Sequence, residues 1–504
     1  MSQLIKFSKM RKIYMILVAS TLLLFTGCDK YLYKEPIGLL TPDQIDTSPT
    51  ESTVEYSVFT SYQLLSSTLN IIGQWGWDDG TVLRNDFILS DIASDDMQKK
   101  WNPDGDQAWM DEIDNFNFTS DNGGFNGQWA YDYDGISRSN LAISYLTDDA
   151  LMSKLTMDSN LKNRLLGEVY FLRAFYYFDL VNNFGDVPLL LKPLESFSEA
   201  YDVAVRTPKD QVMDQVRADL AQAVTLLPNS KYSDDTQPWR ASKGAAIAMQ
   251  AKVELYTQNW QKVLDYVGQL DNLGFYSLDA NYFDNFQVEK EFTDNEVIFA
   301  YDHESNTVPR SGNGLCALLG WGFVAPEQNF IDAFEPNDPR LLYTVDVDNQ
   351  AVYKILGETN TDNKGNDDSP SNKIYIRYAD VMLWKAEADI NLGNYSEAIG
   401  LINQVRARAR NSVAIDGTTP PAGTLPDRDV NSTDKAQIMG WLRHERRVEL
   451  GFESQRFNDL KRWGIAKDVL GALGKNFQDN NYLYPIPQRE IDKSGGSITQ
   501  NPGY

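Results

Sequence analysis

Cysteine and histidine are nearly absent, with two of each in 504 residues. His303 and His444 are far apart and belong to no His-Glu-x-x-His pattern, so no zinc ligand set is present. No Gly-x-Ser-x-Gly elbow occurs, and neither histidine has an evident nucleophile beside it. Cations are scarce too: 46 Lys and Arg face 71 Asp and Glu, a net charge of −25. So acidic a chain repels phosphate backbones and gains little from an anionic lipid surface, which excludes nucleic acid as a partner. Long apolar runs are also missing, and none reaches the roughly twenty residues of a spanning helix.

One shorter apolar run is present. Lys9, Arg11 and Lys12 precede an almost wholly apolar stretch from Ile13 to Phe25, broken only by Ser20 and Thr21. About thirteen residues is the length of a secretory signal core. The run ends in "LFTGC", small residues before Cys28, the lipobox cut by lipoprotein signal peptidase. Residues 1–27 therefore read as a lipoprotein signal peptide and Cys28 as a lipid attachment site. Two or more acyl chains hold a protein stably to a membrane where one does not. With Cys28 acylated (a palmitate-type modification), Cys316 has no intrachain partner and no disulfide supports the fold. Residues 28–50, with Pro36, Pro42 and Pro49 among Thr and Ser, read as a lipidated tether.

The body is expected to be one domain, 51–504, whose 42% hydrophobic and 12% aromatic content allows a sizeable core. Apolar spacing predicts helix over about 52–72 and 136–182. "RLLGEVYFLRAFYYFDLVNNFGDVPLL" is apolar on more than one face, the mark of a buried helix, and Gly185 and Pro188 stop it. Two segments align without gaps: "AKVELYTQNWQKVLDYVGQL" and "AEADINLGNYSEAIGLINQV". Asn259 and Asn394, Trp260 and Tyr395, Leu264 and Ile399 coincide. Each reads as helix, turn, helix, with the aromatic packed between the pair and small Ala251 and Ala386 permitting close approach. This is tetratricopeptide logic, in which stacked pairs bury faces that one pair cannot. The fold class expected is mostly α, a tetratricopeptide-like helical-pair scaffold interrupted by long irregular loops. Those loops, about 73–135 and 275–370, are rich in Gly, Asn, Asp and aromatics and are expected to form a binding face.

Candidate chemistry is sparse. "NPDGDQ" and "YDYDG" cluster oxygen ligands but complete no calcium loop, so a structural calcium is possible but unsupported, and no other cofactor is indicated. "RHERRVELGFESQRFNDLKRWG" alternates acid and base at helical intervals, with Glu445 and Glu449 on one face and Arg446 and Arg456 close by. Structural ion pairs explain it better than catalysis. Among the tryptophans, Trp75, Trp77, Trp101, Trp109, Trp129 and Trp321 lie amid Gly, Asp and Asn. Sugar rings stack apolar C–H faces on flat aromatics, while their hydroxyls need amide, carboxylate or guanidinium partners. Trp129 reads as core, whereas Trp101 and Trp321 sit in more polar, Gly-rich surroundings.

In order and spacing, "WAYDYDGISRSNLAI", "GEVYFLRAFYYFDLVNNFGDVPLL", "YIRYADVMLWKAEADINLGNYSEAIGLINQVRARA", "HERRVELGFESQRFNDLKRWG" and the terminal "YLYPIPQREIDKSGGSITQNPGY" resemble the SusD/RagB family of outer-membrane nutrient-binding lipoproteins. The resemblance covers the whole mature chain. It implies a non-enzymatic lid on a SusC-type TonB-dependent barrel transporter, anchored at the cell surface through Cys28, that captures oligosaccharides or, in some branches, peptides. It also implies that ligand residues fall near the "SDDM" loop. Arg84 precedes that loop and Trp101 follows it, and the "GWGF" stretch carries Trp321. Arg84 is thus expected to hydrogen-bond hydroxyls, Trp101 and Trp321 to supply stacking platforms, and Tyr301 to assist. A peptide ligand or, further off, a surface glycoside hydrolase are the alternatives.

Overall fold

The computed structural model describes residues 49–73, 76–100, 106–307, 310–357 and 363–504. The leader, Cys28 with almost all of the tether, Trp75 and Trp101 lie outside the described residues. The first principal helices are α1 (Glu51–Tyr62), α2 (Ala108–Asn115), α3 (Gly123–Thr147), α4 (Ser159–Phe184) and α5 (Lys209–Leu226). They continue with α6 (Lys243–Tyr256), α7 (Trp260–Leu273), α8 (Leu315–Gly320), α9 (Tyr378–Leu392) and α10 (Tyr395–Asn411). The last are α11 (Lys435–Leu450) and α12 (Arg456–Arg462). Two strand pairs serve the site. β1 (Met97–Lys99) runs antiparallel to β3 (Val324–Pro326), and β2 (Val297–Tyr301) to β4 (Lys373–Arg377).

The protein is mostly helical, and its helices stack in sequence. α4 packs between α3 and α5, α5 on α6, α6 on α7, α7 on α9, and α9 on both α10 and α11. α4 is buried along most of its length, including Phe171, Tyr176, Tyr177 and Phe184, because α1, α3 and α5 cover it. Asp158 caps its start by accepting from the amides of Asn160 and Leu161, and Gly185, at φ 76°, ends it. The helix expected over 136–182 is in fact three pieces: the end of α3, a single turn at Asp149–Met152 and most of α4. Asp148 and Asp158 each cap a helix start, and the turn between them lets α4 fold back on α3. In the same way, the helix expected over 52–72 ends at Tyr62, after which a single 3₁₀ turn follows.

The aligned segments are α6–α7 and α9–α10, and their turns share a backbone hydrogen bond. The Asn259 amide donates to the Glu254 carbonyl at 2.8 Å, and the Asn394 amide to the Asp389 carbonyl at 2.8 Å. Ala251 and Ala386 are fully buried at the helix contacts. Trp260 and Tyr395 are half-buried at the rim of each pair rather than enclosed in it.

Part of the first expected loop region is helix. "GGFNGQWAYDYDG" opens α3 because its glycines allow another backbone to touch it. A Cβ on Gly123 would lie 2.6 Å from the Gly80 amide nitrogen, and one on Gly127 would lie 2.0 Å from the Gly80 carbonyl oxygen. The 76–81 turn is thereby seated on the N-terminus of α3. Region 275–370 holds only short elements, as its composition suggests.

Candidate functional site

The 76–81 turn carries Trp77, whose indole meets two further aromatics. Its ring centroid is 5.8 Å from that of Trp321 and 6.4 Å from that of Phe323, and the latter two are 6.3 Å apart. Trp321 follows α8 and is 46% exposed, while Trp77 and Phe323 are half-buried beneath it. Gly322, at φ 84°, reverses the chain so that Trp321 and Phe323 both reach Trp77. The Lys99 ammonium sits 5.4 Å from the Phe323 ring centroid. The exposed Trp321 indole is thus flanked by two other rings, tilted 58° and 76° to it.

Polar groups border the platform. Asp78 and Asp79 are exposed on the Trp77 turn, and the Arg489 guanidinium lies 3.9 Å from the Asp79 carboxylate. Lys100 donates its amide to the Phe323 carbonyl at 2.8 Å, extending the β1–β3 ladder toward Trp321. Trp101 is the next residue in the chain.

Two sequence motifs, hundreds of residues apart, meet under this face. The "SDDM" turn, Ser94–Met97, is buried, and the helical "RHERR…ESQR" motif holds it. Arg456 makes two bonds to Asp95, at 2.7 and 2.8 Å, and Arg447 binds Asp96 at 2.7 Å. The rest of that motif is an ion-pair core. Arg340 bridges Glu445 at 2.7 Å and Glu449 at 3.0 Å, and Arg377 binds Glu296, Glu449 and Glu453. Burial would raise the Glu449 carboxyl, but Arg408, Arg377 and Arg340 outweigh it and hold the group well below the usual range.

Arg84 belongs to the scaffold interior. Its side chain is fully buried, with Asp132 at 2.8 Å, Asp179 at 2.7 Å, Asp86 at 3.3 Å and the Leu64 carbonyl at 3.3 Å. Its guanidinium is thus committed to three carboxylates beside a partly open cleft that Lys373 and Tyr375 also line. Tyr301 is also internal, 3% exposed on β2 with its ring 4.8 Å from that of His303. Burial pushes His303 down to about 3, so it stays neutral between the Ser67 amide and the Ser311 carbonyl. Of the four residues singled out as ligand-binding, then, Trp321 lies on the aromatic face, Arg84 and Tyr301 lie inside, and Trp101 is outside the described residues. Trp77 and Arg489 were not singled out. Trp77 was one of six loop tryptophans with nothing local to set it apart, and Arg489 is more than four hundred residues from Asp79.

In the "YDYDG" stretch Asp132 faces Arg84 and Asp134 faces Arg138. Among the described residues no group of three His, Cys, Asp or Glu side chains is placed to hold a metal ion.

The structure thus joins a helical-repeat scaffold to an exposed aromatic face. The comparisons make this specific. The SusD family model matches residues 349–504, and a second, described as "Starch-binding associating with outer membrane", matches 43–255. Over 542 residues the chain is 26% identical to SusD-like protein P2 of Formosa agariphila, covering 98% of this chain and 100% of that one. Among solved structures it resembles a laminarin-binding SusD-like protein (TM-score 0.71, 24% identity, 90% of this chain and 100% of that one). It also resembles surface glycan-binding protein A of Bacteroides thetaiotaomicron in complex with laminarihexaose (TM-score 0.72, 21% identity, 90% and 99%). The chain belongs to the SusD/RagB family.

Proposed function

We propose that this protein is a non-enzymatic, cell-surface glycan receptor that delivers oligosaccharide to a SusC-type TonB-dependent transporter in the outer membrane. The observation that carries the reading is Trp321, exposed and backed by Trp77 and Phe323. Burying one face of an indole against a sugar ring removes apolar surface from water, which favours binding. Asp78 and Asp79 on the Trp77 turn, with Arg489 beside Asp79, offer polar partners for sugar hydroxyls, and Trp101 is proposed from the sequence as a second stacking residue. The names of its relatives, which are glycan-binding proteins, support the same substrate class. Cys28, acylated after cleavage of 1–27, anchors the receptor, and the outer-membrane family description supports that location.

The test is a binding screen with purified mature protein across plant, host and microbial oligosaccharides, laminarihexaose included, with peptides alongside. Binding of at least one glycan, weakened about tenfold or more by Trp321→Ala and by Trp101→Ala, is expected, since alanine substitution at a stacking platform costs about 1–3 kcal/mol. Binding of peptides alone, or release of cleavage products from the bound glycan, overturns the assignment.

A further inference from the structure

Lys475 follows the short helix Ala466–Ala472 and packs against the buried "SDDM" turn. It is 7% exposed, and its ammonium is surrounded by oxygen. The Ser94 carbonyl and the Asp114 carboxylate are each 2.6 Å away, the Met97 carbonyl 3.3 Å and the Ile92 carbonyl 3.5 Å. A Glu327 carboxylate oxygen is 3.7 Å away. An ammonium has three protons, so these five oxygens share a charge as a bound cation's ligands would. Three of them come from the "SDDM" turn and the residues leading into it.

The cage is joined to the platform by short steps. Asp114 gives one oxygen to Lys475, and the other accepts from the Lys99 amide, in β1, at 2.8 Å. β1 pairs with β3, the ladder runs on through Lys100 to the Phe323 carbonyl, and Phe323 touches both Trp321 and Trp77. At the other end of the ladder the Glu327 amide donates to the Asp96 carbonyl at 2.9 Å. We propose that Lys475 is a positioning residue, a built-in cation whose oxygen cage fixes the β1–β3 pair and so the orientation of Trp321. The binding consequence rests on the glycan-receptor reading, but the positioning claim does not.

Hydrogen exchange on the full mature chain tests it. In Lys475→Met, which keeps length and removes charge, amides in 92–100 and 322–327 are expected to exchange about tenfold faster or more, while those of α4 and α9 hold their rates. In Lys475→Ala, ammonium chloride at tens of millimolar is expected to restore slow exchange, and tetramethylammonium, which cannot donate, is not. The glycan found for the wild type should bind Lys475→Met about tenfold more weakly or worse. Unchanged exchange at β1–β3, an equal rise across all helices, or no advantage of ammonium overturns the proposal. If Lys475→Met does not fold, Asp114→Asn gives the same reading at the same amides, and unchanged rates there overturn it. Exchange needs no ligand, so a wild type that binds no glycan defeats only the receptor reading. Loosened strands with glycan affinity intact defeat the link from cage to platform.

Discussion

Trp321 and Trp384 are one residue type under opposite demands. Trp384 is fully buried in α9, and Trp321 is 46% exposed at the end of α8. Trp384→Ala is therefore expected to cost about 3–5 kcal/mol of stability. Trp321→Ala should leave the melting temperature within about 1 °C while reducing glycan affinity, because surface substitutions fall within about 0.5 kcal/mol. Calorimetric melting beside binding titration reads both. Arg84 has the opposite pairing of effects. Removing it strands Asp132 and Asp179 in the interior, and Arg84→Ala should lose about 3–5 kcal/mol. Any glycan affinity that survives in the folded fraction then shows that Arg84 does not touch ligand. The Gly and polar neighbours of Trp321 mark an exposed aromatic, and it is exposed. Arg84 was drawn from the family resemblance, and its partners on α3 and α4, 48 and 95 residues away, hold it inside.

At the level of elements, the two helical pairs were legible because their periodicity is local and their turns repeat. Where the α helices break was less so, since Asp148 and Asp158 look alike as exposed polar residues until the capping amides are seen. The repeat also contains an asymmetry. The left-handed position before the second helix is Gly393, at φ 89°, in one pair, and Gln258, at φ 57°, in the other. An L side chain in that conformation costs about 1 kcal/mol relative to glycine. A Cβ on Gly393 would meet nothing within 4 Å, so the penalty there is conformational and not steric. Gln258→Gly should accordingly stabilise the protein, and Gly393→Ala destabilise it, each by about 1 kcal/mol in denaturant unfolding. Equal effects of one sign at both turns would refute the comparison. The junction of "SDDM" with "RHERR…ESQR" was not legible at all, because Asp95 and Asp96 meet Arg456 and Arg447, over 350 residues away, only in the folded chain.

Across the whole molecule, carboxylates of two opposed kinds set the response to pH. Glu449, Glu453 and Asp459 are buried, yet the arginines and lysine around them outweigh burial and depress their pKa values. Glu335, where the hydrogen bond from Arg406 overcomes burial, is pulled down to about 2. Groups depressed on folding stabilise the protein above their unfolded values, and that contribution is lost as the pH falls from about 4.5 toward 2. Other carboxyls lack a cation. Burial pushes Glu291 up to about 8, against the opposing Asn372 amide, and Asp279 up to about 6. Their sign is reversed. Raised on folding, they favour the native state below their unfolded values, and the benefit drains away as the pH rises, through 6 for Asp279 and 8 for Glu291. The overall charge of −25 adds to the alkaline loss through self-repulsion. Stability should therefore peak on the acid side of neutrality, near pH 5–6, rather than at 7–8. Melting temperatures from pH 3 to 9 read the curve, and Glu291→Gln should flatten its limb between about 6 and 8 while leaving the acid limb unchanged. A wild-type maximum at or above pH 8, or an alkaline limb untouched by Glu291→Gln, would mean that the paired carboxylates alone govern the molecule.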